Sequence, residues 1–275
     1  MNIDTDKYRV KENQRIELAK INPNDTGDFE NSKSGKKKAR KNLTKQKEKL
    51  AELQNKFYAD GSKALLIVLQ ALDAGGKDGT IRKIMTGINP QGVRINSFKA
   101  PSNEERAHDF LWRIHKVTPK KGMIGIFNRS HYEDVLVVRV RNFAPEAVWS
   151  KRFESINNFE QNLVNEGTDI IKIYLHIDKA EQKRRFEARL NVPEKNWKFN
   201  PGDLDDRALW GDYQKAFEDV FTKTSKEQAP WYIIPANNKW YRDTLISQII
   251  LNKMEAMNMS YPSIDYDPSE IAIPD

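Results

Sequence analysis

One segment of the chain, Ala64–Thr80, joins an apolar run to a glycine-rich turn that carries a lysine. The run reads Ala-Leu-Leu-Ile-Val-Leu, and the turn places Gly75, Gly76 and Gly79 around Lys77. An apolar run of this length predicts a buried strand, and the spacing of the isoleucines that follow predicts a helix. Glycines let successive backbone N–H groups point inward, and the start of a helix is positive, so this segment predicts a phosphate-binding loop.

The turn departs from the standard P-loop pattern G-x-x-x-x-G-K-[ST] at two positions. Ala71 stands where the first glycine is expected, and Asp78 stands where a hydroxyl would bind Mg²⁺. Without that hydroxyl, the metal needs another hard oxygen ligand, and Asp73 inside the turn is the nearest acidic candidate. The alternative interpretation is a glycine-rich strand-to-helix turn that binds no ligand.

Composition limits the class of protein and the class of partner. The chain has 275 residues, 31% of them charged, and its formal net charge of +7 favours an anionic partner. It contains no cysteine, so disulfides, thiolate zinc sites and thiol nucleophiles are excluded. No stretch approaches the roughly 20 apolar residues that span a bilayer, and the polar start lacks the apolar region of a signal peptide. We therefore expect a cytoplasmic protein with no membrane partner.

From Lys63 onward, short apolar strands alternate with amphipathic helices, which indicates a parallel sheet covered by helices on both faces. The predicted strands are Ala64–Leu69, Val93–Phe98, Met123–Phe127, Ile170–Ile177 and Trp231–Ile234. The predicted helices are Trp149–Glu166, Leu204–Phe221 and Tyr241–Met257, and an earlier helix is predicted to begin near Ala39.

The chain divides into a central domain and two flanking segments. Residues 1–60 are expected to form a basic helical N-terminal extension, residues 61–258 a catalytic domain with a lid at about 180–210, and residues 259–275 an irregular tail. Within the extension, the run Gly35–Lys41 could contact an anion or could form a solvated face.

Ligands of open α/β sheets lie outside the carboxyl ends of the strands, and the third predicted strand ends there in a polar run. Asn128 occupies the place where P-loop kinases have an acidic metal-binding residue, and its amide oxygen could hold a metal-bound water. Arg129, the next residue, can bind a phosphate through two parallel hydrogen bonds. Alternatively, Arg129 only pairs with Glu133, one helical turn further along.

The segment after the fourth strand is rich in arginine. Arg185 and Arg189 are four residues apart and therefore share one face of a predicted helix. Nucleotide kinases have a mobile arginine-bearing lid at this point of the chain, which excludes water and places cations on the transferred phosphate. A basic solvated helix is the alternative.

The segment after the second strand is a candidate for the acceptor pocket. Arg106 and Arg113 are predicted to lie two turns apart on one helix face. Ser102 and Glu105 have capping-box spacing, which predicts a helix start rather than a ligand site. His108 and His115 share the spacing of the arginines, but without a third ligand they are expected to be ordinary helix residues.

Several runs of residues together resemble the polyphosphate kinase 2 family. They are Leu72–Thr80, Asn89–Gly92, Phe127–Glu133, Lys195–Phe199 and Ala229–Trp231, and the resemblance extends from about Leu53 to Met257. Members of that family transfer the terminal phosphate of inorganic polyphosphate to nucleotides, in either direction, with Mg²⁺. The resemblance implies an α/β fold of the P-loop kinase (thymidylate kinase-like) type, with three α/β/α layers, a five-stranded parallel sheet and a helical lid.

The form His131-Tyr132-Glu133 resembles the subgroup that accepts AMP as well as ADP, whereas many members have aspartate at the position of Asn128. The substrates implied are inorganic polyphosphate with AMP, ADP or ATP, the cofactor is Mg²⁺ or Mn²⁺, and the assembly is a homo-oligomer, because members are commonly dimers or tetramers.

The residue patterns and the resemblance together assign roles to individual side chains. The expected catalytic residues are Asp73, Lys77 and Arg129, and the expected metal ligands are Asp73 and Asn128. The expected polyphosphate-binding residues are Gly75, Gly76, Lys77, Asp78, Gly79, Thr80, Arg82, Arg185, Arg189 and Lys198. The expected nucleotide-binding residues are Lys99, Arg106, Arg113, Asn128, Arg129 and Glu133.

Transfer is expected to be direct and in line, since positioning and electrostatics account for most catalysis of phosphoryl transfer and no histidine lies in the loop. One alternative is an ATP-dependent nucleoside monophosphate kinase on the same fold. Another is a P-loop-like nucleic-acid-binding module that uses the lysine-rich start. The sequence favours it less, because aromatic residues are not interleaved with the run Lys36–Lys41 as a base-stacking surface requires.

Overall fold

The structure, a computed structural model, describes residues 3–274; residues 1, 2 and 275, at the outer ends of the predicted extension and tail, lie outside the described residues. Its strands are β1 (Ala64–Gln70), β2 (Val93–Ser97), β3 (Ile124–Asn128), β4 (Thr168–His176) and β5 (Trp231–Pro235). All five predicted strands are confirmed, and no end differs from the predicted one by more than two residues.

The strands form one parallel sheet in the order β2-β3-β1-β4-β5. The central strand, β1, is buried along its whole length, because helices cover both of its faces. Its alternate residues belong to two apolar clusters, Leu65, Ile67 and Leu69 to one and Leu66 and Val68 to the other. The α/β class and the three layers predicted from the sequence are confirmed.

Of the α-helices, one precedes β1, one follows β5, and the others lie in the connections between strands. They are α1 (Lys33–Asp60), α2 (Lys77–Ile84), α3 (Asn103–Ala107), α4 (Trp112–His115), α5 (Val137–Val140), α6 (Glu146–Trp149), α7 (Arg152–Asn165), α8 (Lys179–Asn191), α9 (Gly202–Ala208), α10 (Trp210–Thr224) and α11 (Lys239–Ala256). Side chains of α1, α2 and α11 fill the cluster on one face of the sheet, and those of α7 and α10 fill the other. Among the described residues, no helix combines the length and the apolar character needed to cross a bilayer.

Three predicted helices have different limits. The first begins at Lys33 rather than near Ala39, because the side chain of Ser32 accepts a hydrogen bond from the N–H of Gly35 and caps an earlier turn. The predicted helix Leu204–Phe221 is two helices, α9 and α10, that meet at Leu209. The predicted helix Trp149–Glu166 is likewise divided into the short α6 and the longer α7.

The prediction that Arg106 and Arg113 share one helix face is wrong. The first helix of that segment, α3, ends at Ala107, and His108 is extended. The side chain of Asp109 then accepts a hydrogen bond from the N–H of Leu111, which makes a turn before α4 begins. His108 and His115 are separated by the same break.

Residues 3–30 form a segment that we call the N-terminal strap, which lies along the edge of β5. The N–H of Val10 donates to the carbonyl of Trp231 over 2.8 Å, and the hydroxyls of Tyr8 and Tyr241 lie 2.7 Å apart. The N–H of Asn237 donates to a carbonyl of the strap, that of Pro23, over 3.2 Å. The strap therefore covers a sheet edge that would otherwise present unpaired backbone groups.

Candidate active site

The turn between β1 and α2, residues 71–76, has the backbone geometry of an anion-binding loop. Two of its residues, Ala74 and Gly76, have positive φ angles of 59° and 103°. A Cβ on Gly75 would lie 2.5 Å from the Cβ of Ala71, so position 75 has to be glycine. This contact also explains why alanine is accepted at position 71, where the standard pattern has glycine: the space that its methyl group needs is left by Gly75.

Lys77 opens α2 and folds back over the loop. Its Nζ donates to the carbonyl of Ala71 over 2.8 Å. Burial, together with the nearby Arg129, lowers the pKa of Lys77 to about 8, against the opposing effects of Asp73 and Glu133. An anion in the loop would restore the preference of this ammonium for its charged form.

The other predicted loop residues divide between two environments. Thr80 is buried, and its hydroxyl donates to the carbonyl of Gly76 over 3.0 Å, so it stabilises the first turn of α2. Asp78 is exposed and accepts a hydrogen bond from the amide of Asn128 over 2.8 Å. Gly79 and Arg82 lie on the outer side of the loop, where they line an open recess of about 420 Å³. The recess is also lined by Gly76, Lys83, Thr86, Lys239, Arg242 and Asp243.

Arg129 faces the loop from the end of β3. Its φ is 62°, which costs a non-glycine residue about 1 kcal/mol or more, and its N–H is held by the carbonyl of Leu69 at 3.1 Å. Its guanidinium donates to Oδ1 of Asp73 over 2.9 Å and lies 3.9 Å from Glu133. Glu133 and Asp73 raise the pKa of Arg129, against the opposing effect of burial. Arg129 therefore pairs with Glu133, as the alternative interpretation expected, but its closer partner is Asp73.

A buried ion pair supports the segment that follows Arg129. Lys172 of β4 donates to Glu160 of α7 over 2.5 Å, to the hydroxyl of Tyr132 over 3.0 Å and to the carbonyl of Thr224 over 2.6 Å. Glu160 also accepts from Tyr132 over 2.8 Å and lies 3.2 Å from His131. Burial by itself favours a neutral carboxyl, but the Lys172 ammonium holds the pKa of Glu160 below its ordinary value. The buried pair thus holds His131 and Tyr132 in place, while Arg129 and Glu133, which flank this segment of the chain, face the loop.

Asp73 and Asn128 form a sparse donor set for a metal. Among residues 3–274, no group of three or more acidic, histidine or cysteine side chains is arranged to hold an ion. The carboxylate of Asp73 lies in the loop, where its Oδ1 accepts from Arg129, and the amide nitrogen of Asn128 is committed to Asp78. This set fits Mg²⁺, which keeps several waters and is bound by one or two carboxylates together with substrate phosphates.

The arginines of α8 differ in their surroundings. Arg189 donates to the carbonyl of Lys198 over 3.0 Å and to Asp203 over 3.1 Å, and the side chain of Lys198 is exposed. Burial, together with the neighbouring Asp73, raises the pKa of Asp203 to about 6. Arg185 is only 7% exposed and donates to backbone carbonyls of the phosphate-binding loop rather than facing its open side.

The predicted acceptor residues lie beyond the end of β2. Arg113 donates to the carbonyl of Lys99 over 2.9 Å, and its guanidinium lies 5.5 Å from the centre of the Phe98 ring. Arg106 donates to the carbonyl of Pro101 over 2.7 Å, on the first turn of α3. The capping box of Ser102 and Glu105 is confirmed. Lys99 and Arg106 are exposed.

Three residues near the loop were not predicted from the sequence. Asp203 follows an Asn-Pro-Gly run that indicated only a turn. Gln182 donates to the carbonyl of Asp73 over 3.0 Å, and a glutamine in a charged helix carries no signal of such a contact. Arg242 is 2% exposed on α11, and the sequence signal that could have identified it is a charged residue in the helix predicted to close the domain.

Comparison of the sequence with known proteins shows the family to which the chain belongs. Residues 33–262 match the family described as Polyphosphate kinase 2. The chain is 51% identical over 267 residues to the AMP/ADP-polyphosphate phosphotransferase of Meiothermus ruber, which covers 97% of this chain and 99% of that protein. It is 44% identical to the ADP-polyphosphate phosphotransferase of Rhodopseudomonas palustris, over 95% of this chain and 93% of that protein.

A solved structure agrees with the sequence comparisons. The crystal structure of polyphosphate kinase 2 from Arthrobacter aurescens superposes with a TM-score of 0.89 and 41% identity, over 95% of both chains. The similarity therefore covers nearly the whole length of both chains.

Proposed function

Because the chain belongs to the polyphosphate kinase 2 family, we propose that its phosphate-binding loop holds the end of a polyphosphate chain while AMP or ADP attacks the terminal phosphorus. The protein is a phosphotransferase, and its activity is polyphosphate-dependent phosphorylation of nucleotides. The observation that carries the assignment of the loop is the convergence of Lys77 and Arg129 on one side of a glycine-rich turn, with Asp73 between them.

The donor would lie across the loop and continue into the basic recess beside α2. Arg82 and Lys83 border this recess from α2, and Lys239 and Arg242 border it from α11. Arg242 is buried, and its Nη1 has no hydrogen-bond partner among the described residues. A Cβ on Gly76 would lie 2.5 Å from this nitrogen, so it is close to the loop backbone. Phosphate oxygens would satisfy such an orphaned donor, which supports this path for the anion.

Transfer would proceed by direct attack, with the chain's own residues compensating charge. Lys77 and Arg129 would neutralise the oxygens of the terminal phosphate, and Arg189 would add a third cation from α8. A divalent cation is a general requirement of kinases, and we propose Mg²⁺ held by Asp73, with Asn128 binding its water; the ion supplies additional neutralisation of the phosphate oxygens. His131 is fully buried against Glu160, so it is not placed to carry a phosphoryl group.

The deciding experiment is incubation of the purified protein with AMP, polyphosphate and Mg²⁺. We expect ADP to form first and ATP to follow, with no phosphoenzyme trapped during the reaction. A parallel reaction with ATP in place of polyphosphate distinguishes the alternative function. Faster phosphorylation of AMP from ATP than from polyphosphate would show a nucleoside monophosphate kinase instead. Reversibility is tested by following polyphosphate formation from ATP.

Removing the carboxylate of Asp73 should weaken the use of metal. For Asp73→Asn, we expect turnover at saturating substrates to fall about 10²-fold or more, with a higher Mg²⁺ concentration needed for half-maximal rate. The measurement is the initial rate as a function of Mg²⁺ after treatment with a chelator, for the wild type and the variant. Asp212→Asn, on the first turn of α10, is the control. An unchanged Mg²⁺ dependence in Asp73→Asn would show that another group holds the metal.

The lowered pKa of Lys77 predicts an alkaline limit to activity. Since the pKa of Lys77 in the free protein is about 8, its ammonium is present below that pH and is lost as the pH rises through it. We therefore expect kcat/KM for polyphosphate, which reports the free protein, to fall with an apparent pKa near 8. The limit in kcat should lie at higher pH, because bound phosphate stabilises the ammonium. A kcat/KM that stays constant up to pH 10 would contradict this role.

A further inference from the structure

We propose that Gln182 and Arg185 of α8 are positioning residues that hold the backbone of the phosphate-binding loop, and that Arg207 of α9 acts on the loop through Gln182. The inference rests on the proposed role of the loop, and it gives Arg185 a role other than the direct contact with polyphosphate that the sequence predicted.

Arg185 is built into the underside of the loop. Its Nη1 donates to the carbonyls of Ala74 and Gly75 over 2.9 and 2.8 Å. Its Nη2 donates to the carbonyl of Ala236 over 2.6 Å, and its Nε donates to Glu181 over 2.7 Å. These four hydrogen bonds commit all three nitrogens of the guanidinium to protein partners.

Gln182 binds the backbone carbonyl that precedes these two in the chain, on the side of β1. Its amide nitrogen donates to the carbonyl of Asp73 over 3.0 Å. Its amide oxygen accepts from Arg207 over 2.9 Å, and Arg207 also donates to the carbonyl of Lys179 over 2.8 Å. Because Arg207 has only donors, it orients the amide of Gln182 so that the nitrogen faces Asp73.

The contacts determine the direction of the loop's hydrogen-bonding groups. In an anion-binding nest, successive N–H groups point inward and the carbonyls point outward. The carbonyls of three consecutive residues, Asp73, Ala74 and Gly75, are bound by the two side chains of α8. Losing these contacts would let the peptide planes rotate, which would move both the N–H groups and the carboxylate of Asp73 from their positions.

This arrangement also connects the loop to α9, the next α-helix after α8. Arg207 lies on α9, whose Asp203 pairs with Arg189. A chain of direct contacts therefore runs from α9 through Gln182 to Asp73. In this arrangement a displacement of α9 changes the orientation of Gln182, and through Gln182 the position of the loop.

The test is a double-mutant cycle with Gln182→Met, Arg207→Met and the combined variant. We expect Gln182→Met to lower kcat about 10-fold or more, since small misplacements of reacting groups cost this much, with KM for AMP and polyphosphate changed less than about threefold. If Arg207 acts through Gln182, the double variant is no slower than Gln182→Met alone. Multiplied effects of the two substitutions, or an unchanged kcat in Gln182→Met, would overturn the coupling.

Arg185 is tested by a comparison of Arg185→Lys with Arg185→Gln. A lysine keeps the charge but has all its donors on one nitrogen, which cannot take the separate positions of Nη1 and Nη2. We therefore expect both variants to lose kcat to a similar extent, about 10²-fold, with little change in the salt dependence of KM for polyphosphate. Rescue by lysine, together with a raised KM for polyphosphate in Arg185→Gln, would show direct contact with the donor instead.

Two controls separate positioning from loss of structure and from failure of the proposed function. Lys183→Met changes an exposed residue of the same helix that lies 3.8 Å from Glu187, and we expect wild-type kinetics. Thermal unfolding of each variant shows whether α8 remains folded at the assay temperature. Turnover of the wild-type protein with polyphosphate is measured in the same assay. Absence of wild-type turnover would refute the proposed function, whereas the variants test only the role of α8.

Discussion

Replacing Lys77 with alanine is expected to lower turnover with polyphosphate by about 10³-fold or more while the fold stays intact. The ammonium is one of the two cations that face the open side of the loop next to Asp73, and no other lysine of the loop could replace it. Stability should not suffer, because a lysine whose pKa is lowered by burial is less stable charged in the folded protein than in water. The measurements are kcat with AMP and polyphosphate, and the thermal unfolding temperature.

The matched control for this prediction is Lys37→Ala, which removes an exposed ammonium from α1. It changes the net charge by the same amount and should leave turnover unchanged. If Lys77→Ala kept near-normal turnover, or if both variants lost activity equally, the assignment of the loop as the donor site would be refuted.

The substitution Lys172→Met is expected to destabilise the protein by about 3–5 kcal/mol, because it leaves the carboxylate of Glu160 buried without its cation. The pair is almost fully enclosed, with side chains that are 0% and 2% exposed. For a domain of this size, the loss corresponds to a fall of roughly 10 °C in the unfolding temperature. Thermal unfolding at pH 7, followed by circular dichroism, measures it. Turnover measured below the lowered unfolding temperature should also fall. The reason is that Tyr132, which lies close to Arg129 in the chain, loses one of its two hydrogen-bond partners, Lys172.

Lys253→Met is the control, because it breaks an ion pair with Asp169 whose side chains are about a quarter exposed. Such pairs contribute about 0–1 kcal/mol, so the unfolding temperature should change by a few degrees at most. Similar losses of stability in Lys172→Met and Lys253→Met would show that breaking the buried pair of Lys172 and Glu160 destabilises the protein no more than breaking a partly exposed one.

The sheet and the loop were predictable because their signals are local. The central strand is a short apolar run, and the loop combines glycines with a lysine directly after it, so the sequence predicts both the strand and the turn in which Lys77 lies. The error at Arg106 and Arg113 has a local cause too. A period of seven residues predicts one helix face only if the helix is continuous, and the turn at Asp109 breaks it.

The partners of Arg185 and Lys172 could not be predicted, because they come from distant parts of the chain. Arg185 binds a carbonyl 111 residues away, and Lys172 lies in an apolar strand where a charged side chain breaks the pattern. Position and charge suggested a polyphosphate ligand for Arg185, but whether an arginine faces an anion or a carbonyl depends on packing between elements. The roles of the individual site residues, including those of Lys99, Arg106 and Lys198, stay predictions until the variants are measured.

The N-terminal strap has a consequence for the synthesis of the protein. Tyr8 meets Tyr241 across 233 residues, and Val10 is bound to Trp231 and Ser225. Because synthesis runs from the N-terminus, the strap can therefore not dock until β5 and the start of α11 have been made. Contacts at such separations slow folding, since a long loop must close before they form. During translation the strap remains without its native partners until these residues have left the ribosome, so the enclosure of the sheet edge is a late step of folding.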